Sequence, residues 1–186
     1  KENIFNVGCP RNDLIKNELK KKNLERSFNF LNSVGVGVNI NKNDKFIIIS
    51  QHPVTTEYKS SDNQIALTLN AIRKLNMKCL LLWPNSDSGS DKISKKIRIY
   101  REKKLLTNFR LIKNLPTDIY INIMNNCQCI VGNSSSAIRD GSFLGIPAVN
   151  IGSRQNKRLK SFNVINAEYN EQEIFNKVKK QLKIKK

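Results

Sequence analysis

The 186-residue chain is long enough to bury one sizeable hydrophobic core, so its length predicts a single domain of ordinary size. Its 33 lysines and arginines outnumber 15 acidic residues, which gives a formal net charge of +18. These basic residues are spread along the chain and do not alternate with aromatic residues, as they would in a nucleic-acid-binding surface. Nucleic acid is therefore not an expected partner. No apolar run approaches the roughly 18 residues of a membrane-spanning helix, so a membrane is not an expected partner either.

Short apolar runs alternate with amphipathic segments from Lys45 onward. Strands are predicted at 45–50, 78–84, 109–112, 129–132, 148–152 and 163–167, and helices at 61–75, 90–104, 116–124, from the serines to about 145, and 171–182. This alternation predicts an α/β fold, a doubly wound parallel sheet with helices on both faces. We expect residues 45–186 to form this Rossmann-like domain.

Residues 1–44 fit the alternating pattern less well. They predict a short strand, then "GCP", then a helix near 13–22, followed by a stretch rich in glycine, valine and asparagine. We interpret them as a connector from an upstream segment. The chain begins with Lys1 rather than methionine, which is the expectation for a fragment or a processed chain.

The four cysteines are Cys9, Cys79, Cys127 and Cys129, and no two of them form a CxxC pair. Cys79 and Cys129 lie in apolar runs, where a thiol behaves as a small hydrophobic side chain. Neither a disulfide framework nor a metal site is predicted, and a reducing cytoplasm is the expected location.

Two polar loops are expected to meet at one edge of the sheet. In the common strand order 3-2-1-4-5-6, the first and fourth strands are neighbours at the switch point where such folds bind ligands. The first strand continues into "QHPVTTEY" and the fourth into "NSSS". The crevice between these loops is therefore the predicted ligand site.

The serine loop is the first candidate for anion binding. A helix N-terminus presents unpaired N–H groups, and Ser134, Ser135 and Ser136 add hydroxyl donors at the same place. Gly132 and Asn133 precede them and are further candidates. The alternative is a helix cap, for which one hydroxyl is enough.

Asp140 and His52 are candidates for contacts beyond the phosphates. Asp140 lies one turn after Ser136, where a carboxylate can accept both hydroxyls of a ribose; the alternative is a surface acid or a partner of Arg139. His52 is the only histidine and directly follows the first predicted strand. It could neutralise a phosphate or protonate a leaving group, or it could be structural.

Two further side chains lie at the same predicted edge. Asn85, in the loop after the second strand, could hydrogen-bond a base or a phosphate, or simply form a turn after its proline. Arg154, after the fifth strand, is a forked donor suited to a diphosphate, or one more surface arginine. Together these residues favour a nucleotide-diphosphate ligand.

Several segments, in order, resemble one known family. "VGCP", "SQHPVTTEY", "LLLWPNSDSGS" and "VGNSSSAIRDGSFLGIPAVNIGSRQNKR" are similar to the hydrolysing UDP-N-acetylglucosamine 2-epimerases, and the similarity runs from Gly8 to about Val164. Non-hydrolysing relatives typically carry a Gly-His-Arg loop where this chain has "SQHP", so the hydrolysing branch is the closer fit.

The resemblance implies a GT-B architecture in which a UDP-sugar lies between two Rossmann-like halves. This chain would be the second half, and the missing N-terminal domain would supply most acid–base carboxylates. The family pattern places UDP contacts at His52, Asn85, Ser134, Ser135, Asp140 and Arg154. Asp140 departs from it, because the family residue is usually the longer glutamate.

The activity implied is conversion of UDP-N-acetylglucosamine and water to N-acetylmannosamine and UDP in sialic-acid-like sugar biosynthesis. His52 is the catalytic candidate in this half. The resemblance implies no metal, no other cofactor, and a homo-oligomer for the full enzyme.

Alternatives remain open at this point. One is a 2-epimerase of a related nucleotide sugar, GDP-N-acetylglucosamine or UDP-diacetylbacillosamine. Another is half of a GT-B glycosyltransferase. Outside enzymes, the alternative is a basic nucleic-acid-binding module.

Overall fold

The structure, a computed structural model, describes residues 3–184 and contains one seven-stranded sheet. Its strands are β1 (Val36–Gly37), β2 (Phe46–Ser50), β3 (Lys78–Leu82), β4 (Phe109–Ile112), β5 (Cys129–Gly132), β6 (Ala148–Ile151) and β7 (Val164–Ala167). They are ordered β1-β4-β3-β2-β5-β6-β7, and all neighbours are parallel except the edge pair β1 and β4. When β1 is left out and the six parallel strands β2 to β7 are numbered from one to six, their order in the sheet is 3-2-1-4-5-6. The predicted strand order is therefore confirmed.

Helices cover both faces of the sheet. They are α1 (Pro10–Lys20), α2 (Leu24–Ser33), α3 (Ser61–Arg73), α4 (Ser90–Glu102), α5 (Thr117–Asn126), α6 (Ser135–Ile138), α7 (Asp140–Phe143) and α8 (Glu171–Gln181), with short 3-10 helices at Thr55–Ser60 and Ser153–Gln155. In β2, Ile47 and Ile49 pack with α3, α4 and α8, whereas Phe46 and Ile48 pack with α2 and α5. Because side chains alternate across a strand and both faces are buried, the strand reads as a continuous apolar run. The predicted doubly wound α/β fold is confirmed.

The segment before the first parallel strand differs from its prediction. No strand forms among residues 3–9; Ile4, Phe5 and Val7 are exposed there, and α1 begins at Pro10, where a proline suits the first helical turn. The second helix, α2, was missed, although its apolar Phe28 and Leu31 have helical spacing.

Residues 31–39 are held to the sheet by a buried arginine. Arg110 of β4 donates hydrogen bonds to the carbonyls of Leu31, Asn32 and Val34 over 2.6–2.8 Å. α1 and α2 also contact α5. Residues 10–44 therefore pack on the same sheet as the rest, and their role as a connector from a missing domain stays a prediction.

The predicted helix from the serines to about 145 is instead two helices of four residues each. α6 ends at Ile138 and α7 begins at Asp140, with Arg139 at the junction. Beyond the junction, the Asp140 carboxylate accepts a hydrogen bond from Nε of Arg11 in α1, 2.8 Å away. This contact between distant parts of the chain has no signature in local helical periodicity.

Candidate functional site

The ends of β2 and β5 bring the two polar loops together. Ser50 pairs with Gly132 at the last position of both strands, and the Ser50 carbonyl accepts the N–H groups of Asn133 (3.1 Å) and Ser134 (3.2 Å). Gly132 has a φ of +131°, and a Cβ there would lie 2.1 Å from the Ser50 oxygen. Only glycine fits this crossing, so Gly132 shapes the loop through its backbone.

Asn133 links the loop after β5 to the loop after β2, which carries His52, through hydrogen bonds. It is fully buried; its Oδ1 accepts the His52 N–H at 2.7 Å and its Nδ2 donates to the His52 carbonyl at 2.8 Å. Its own carbonyl accepts a 2.8 Å hydrogen bond from Nε2 of Gln155. Asn133 therefore holds the backbone of His52 rather than lining the cavity beside it.

The His52 ring is held in one tautomer. Its Nδ1 accepts the Asn85 N–H at 3.1 Å, so the proton of the neutral ring is on Nε2, which lies 3.5 Å from Oγ of Ser50. The pKa of His52 is lowered to about 4, chiefly by burial and then by the positive charge of Arg154, whereas Asp87 acts in the opposite direction. At neutral pH the ring is an uncharged Nε2–H donor, which favours hydrogen bonding over charge neutralisation.

A cavity of about 270 Å³ opens at the carboxyl ends of β2 to β5. Its lining combines hydroxyls, the histidine, one lysine and several apolar surfaces: Ser50, His52, Leu82, Trp83, Asn85, Lys113, Asn114, Leu115, Thr117, Tyr120, Ser134 and Ser136. It lies at the predicted switch-point crevice. Its donors and single cation suit an anionic ligand.

Two of the three serines reach this cavity. Ser134 caps α6, with its Oγ accepting the Ser136 N–H at 3.4 Å. The Ser136 hydroxyl lies 3.0 Å from that of Ser134 and 3.0 Å from that of Tyr120 on α5. Ser135 does not line the cavity.

Asp140 and Arg154 lie beside the cavity with partners of their own. Asp140 is 3% exposed and paired with Arg11. The two terminal nitrogens of Arg154 lie 3.4 Å from the Asn133 carbonyl and 3.5 Å from the Asp87 carboxylate. Arg154 lines a different cavity, of about 780 Å³. The structure thus gathers His52, Asn85, Ser134 and Ser136 at one cavity, but not Ser135, Asp140 or Arg154.

The sequence reading missed several lining residues. Lys113 and Asn114 directly follow β4, so their place after a predicted strand was a usable signal. Thr117 and Tyr120 lie on α5, and only the packing of that helix brings them to the serine loop.

Within residues 3–184, no three His, Cys, Asp or Glu side chains are grouped as metal ligands, and no disulfide joins the four cysteines. No helix in this range is long and apolar enough to cross a membrane.

Comparison with known proteins identifies the family. The family model described as UDP-N-acetylglucosamine 2-epimerase matches residues 1–186. The chain belongs to the UDP-N-acetylglucosamine 2-epimerase family. The fold corresponds to one half of the GT-B-like epimerase and glycosyltransferase structures.

Two curated relatives are hydrolysing epimerases. The chain is 30% identical over 172 residues to the GDP/UDP-N,N'-diacetylbacillosamine 2-epimerase (hydrolyzing) of Campylobacter jejuni, covering 90% of this chain and 42% of that protein. It is 32% identical over 167 residues to the UDP-N,N'-diacetylbacillosamine 2-epimerase (hydrolyzing) of Legionella pneumophila, covering 90% and 41%. The chain thus spans about two fifths of the length of these relatives.

A solved structure with a similar fold is the UDP-GlcNAc 2-epimerase of Methanocaldococcus jannaschii in complex with UDP-GlcNAc and UDP. The TM-score is 0.73 at 16% identity, and the match covers 99% of this chain and 49% of that one. At this identity the similarity establishes the fold alone.

Proposed function

We propose that this chain is the UDP-binding half of a hydrolysing nucleotide-sugar 2-epimerase, which converts UDP-N-acetylglucosamine and water to N-acetylmannosamine and UDP. The observation that carries the proposal is the cavity at the switch point of β2 and β5 in a chain of this family. There the Ser134 hydroxyl, the His52 Nε2–H and the Lys113 side chain converge on one space.

The chemistry asked of these groups is charge stabilisation. Elimination of UDP from the sugar leaves negative charge on a diphosphate oxygen, and donors that are already oriented stabilise such charge without reorganising. The Asn85 N–H fixes the His52 tautomer and Asn133 fixes its backbone, so the Nε2–H is oriented before a ligand arrives. Lys113 supplies the positive charge that a neutral His52 does not.

Asp140 and Arg154 are proposed to contact the ribose and the diphosphate, as the family pattern implies. Each would have to exchange its present partner, Arg11 or Asp87, for the ligand. Ser135 is proposed as a third phosphate contact and requires a similar local change. These three assignments rest on the resemblance, whereas those of His52 and Ser134 also rest on the cavity.

A cavity of about 270 Å³ falls below the roughly 300–1,000 Å³ range of small-molecule sites, and a UDP-sugar is a large ligand. We therefore propose that a second Rossmann-like domain completes the cleft and supplies the acid–base carboxylates. A homo-oligomer, a cytoplasmic location and a role in sialic-acid-like sugar biosynthesis belong to the same proposal. The family match favours this reading over a glycosyltransferase half or a nucleic-acid-binding module.

The second candidate substrate is UDP-N,N'-diacetylbacillosamine. Its support is specific, since the relatives that are 30% and 32% identical carry that substrate in their names. Both candidates share the UDP moiety, so the site described above serves either one.

Nucleotide binding is tested by NMR titration of the chain with UDP. We expect shifts at the His52 ring and at the amides of Ser134 and Ser136, and a loss of affinity of about tenfold in Ser134→Ala, because a hydrogen bond to a charged group is lost. Ser33→Ala is the matched control, since Ser33 is exposed and bonds only locally to the Phe30 carbonyl. Cavity signals that stay unmoved by saturating UDP would refute the site.

The reaction is tested on the enzyme formed when this chain is joined to its completing domain. UDP-N-acetylglucosamine should yield free N-acetylmannosamine and UDP. Turnover of the diacetylbacillosamine nucleotide alone would establish the second candidate instead. Sugar recovered only on an acceptor molecule would contradict both.

A further inference from the structure

Three hydroxyls form a continuous chain beside the cavity. The Tyr120 hydroxyl on α5 lies 3.0 Å from Oγ of Ser136, which lies 3.0 Å from Oγ of Ser134. The proposed function uses the Ser134 hydroxyl as an anion donor and leaves Tyr120 without a role. The direction of proton donation along these three hydroxyls decides whether the Ser134 hydroxyl has a proton to donate to a ligand.

Each hydroxyl has one proton and two acceptor positions. Ser134 Oγ already accepts the Ser136 N–H, and if it also accepts the Ser136 hydroxyl, its own proton is left for the cavity. In the opposite direction Ser134 would donate to Ser136 and Ser136 to Tyr120. The Tyr120 proton would then need another acceptor, and no second hydrogen bond of this hydroxyl is formed within residues 3–184.

The acidities of the groups favour the outward direction. A phenol is far more acidic than a serine hydroxyl, so it is the better donor and the poorer acceptor of the pair. Burial raises the pKa of Tyr120 to about 12, although its hydrogen bond with Ser136 lowers it. The phenol therefore keeps its proton over the whole physiological range and can serve as the first donor.

We propose that Tyr120 is a positioning residue for phosphate binding, which acts through Ser136 to direct the Ser134 proton into the cavity. This inference rests on the proposed function, because it names what orients the donor of that site. Donation along a chain polarises each successive hydroxyl, so the last member becomes a stronger donor to an anion. Ser136 is then the link in the chain, and Ser134 is the group that contacts the phosphate.

The test compares two probes, UDP and uridine, by calorimetric titration of the 186-residue chain. Tyr120→Phe removes the first donor and Ser136→Ala removes the link. Each should weaken UDP binding about three- to tenfold, the effect of one hydrogen bond. Uridine has no phosphate, so its affinity should not change. Tyr100→Phe is the control, because the Tyr100 hydroxyl donates to Asn70 away from this cavity.

The double variant separates a relay from two independent contacts. In a relay, Tyr120→Phe has no further effect once Ser136→Ala has broken the link, so the double variant should bind UDP as Ser136→Ala does. Losses that multiply, an unchanged UDP affinity in Tyr120→Phe, or an equal weakening of uridine would each overturn the relay. A wild-type chain that binds no UDP would overturn the proposed function, and the relay with it.

Discussion

Acidification should destabilise this protein through its single histidine. In the folded chain the pKa of His52 is about 4, chiefly because of burial and then because of Arg154, whereas an unfolded histidine titrates near 6.5. Between these two pKa values the imidazole is protonated in the unfolded state and neutral in the folded state. The contribution of His52 to stability is therefore complete above pH 6.5 and is lost as the pH falls towards 4.

The magnitude follows from the two pKa values. Their full difference corresponds to about 3 kcal/mol, and the part lost between pH 7 and pH 5 is about 2 kcal/mol. A domain of this size has about 5–15 kcal/mol of stability, so the change is large enough to measure. The His52 residue is only 8% exposed, so solvent screening reduces this value little.

The assay is urea unfolding at pH 7 and pH 5 of the wild type and of His52→Asn. The Oδ1 of an asparagine side chain can still accept the Asn85 N–H, which preserves the local geometry. Carboxylates titrate in both proteins, so the difference between the two isolates the imidazole. The wild type should lose about 2 kcal/mol more than the variant over this range.

A second measurement is independent of unfolding. His52 is the only histidine in the sequence, so the chain has a single imidazole titration to follow by NMR. A midpoint near 6.5, or equal losses of stability in the two proteins, would refute the reasoning and with it the neutral-donor role of the ring.

Two further predictions concern the loop behind this ring. Asn133→Ala should cost about 2–4 kcal/mol, because it leaves the buried N–H and C=O of His52 without partners, and urea unfolding with the NMR signals of that ring measures both effects. Gly132→Ala should prevent stable folding or cost more than about 3 kcal/mol, because its Cβ would lie 2.1 Å from the Ser50 carbonyl oxygen. The control is Gly8→Ala, whose Cβ meets no atom within 4 Å and which should cost only the roughly 1–2 kcal/mol of a left-handed backbone. Thermal unfolding compares the stabilities of the two variants.

The matched control for Asn133→Ala is Asn176→Ala, at an exposed position of α8. This control should change stability by less than about 0.5 kcal/mol. Equal losses of stability in the two asparagine variants, or in the two glycine variants, would contradict the prediction that the contacts between the loops stabilise the fold.

The sequence alone was enough to predict the six parallel strands and the meeting of the two polar loops at one sheet edge. Buried parallel strands must be apolar on both faces, so runs such as that of β2 are recognisable without a structure. The order of six parallel strands followed from a common topology, and it brought "QHP" and "NSSS" together correctly. Local rules were less reliable for α6 and α7, whose four-residue helices depend on their neighbours, and α2 was missed although its apolar residues have helical spacing.

The contacts that orient the site were decided only by tertiary structure. Asn133 holds His52 from another strand end, Tyr120 reaches Ser136 from another helix, and Arg11 occupies the carboxylate of Asp140. The protonation of His52 likewise depends on burial and on the charges of Arg154 and Asp87, which lie in two other loops. The physical reason is common to all of them: hydrogen bonds and desolvation act between groups near in space, whereas sequence patterns report only groups near along the chain.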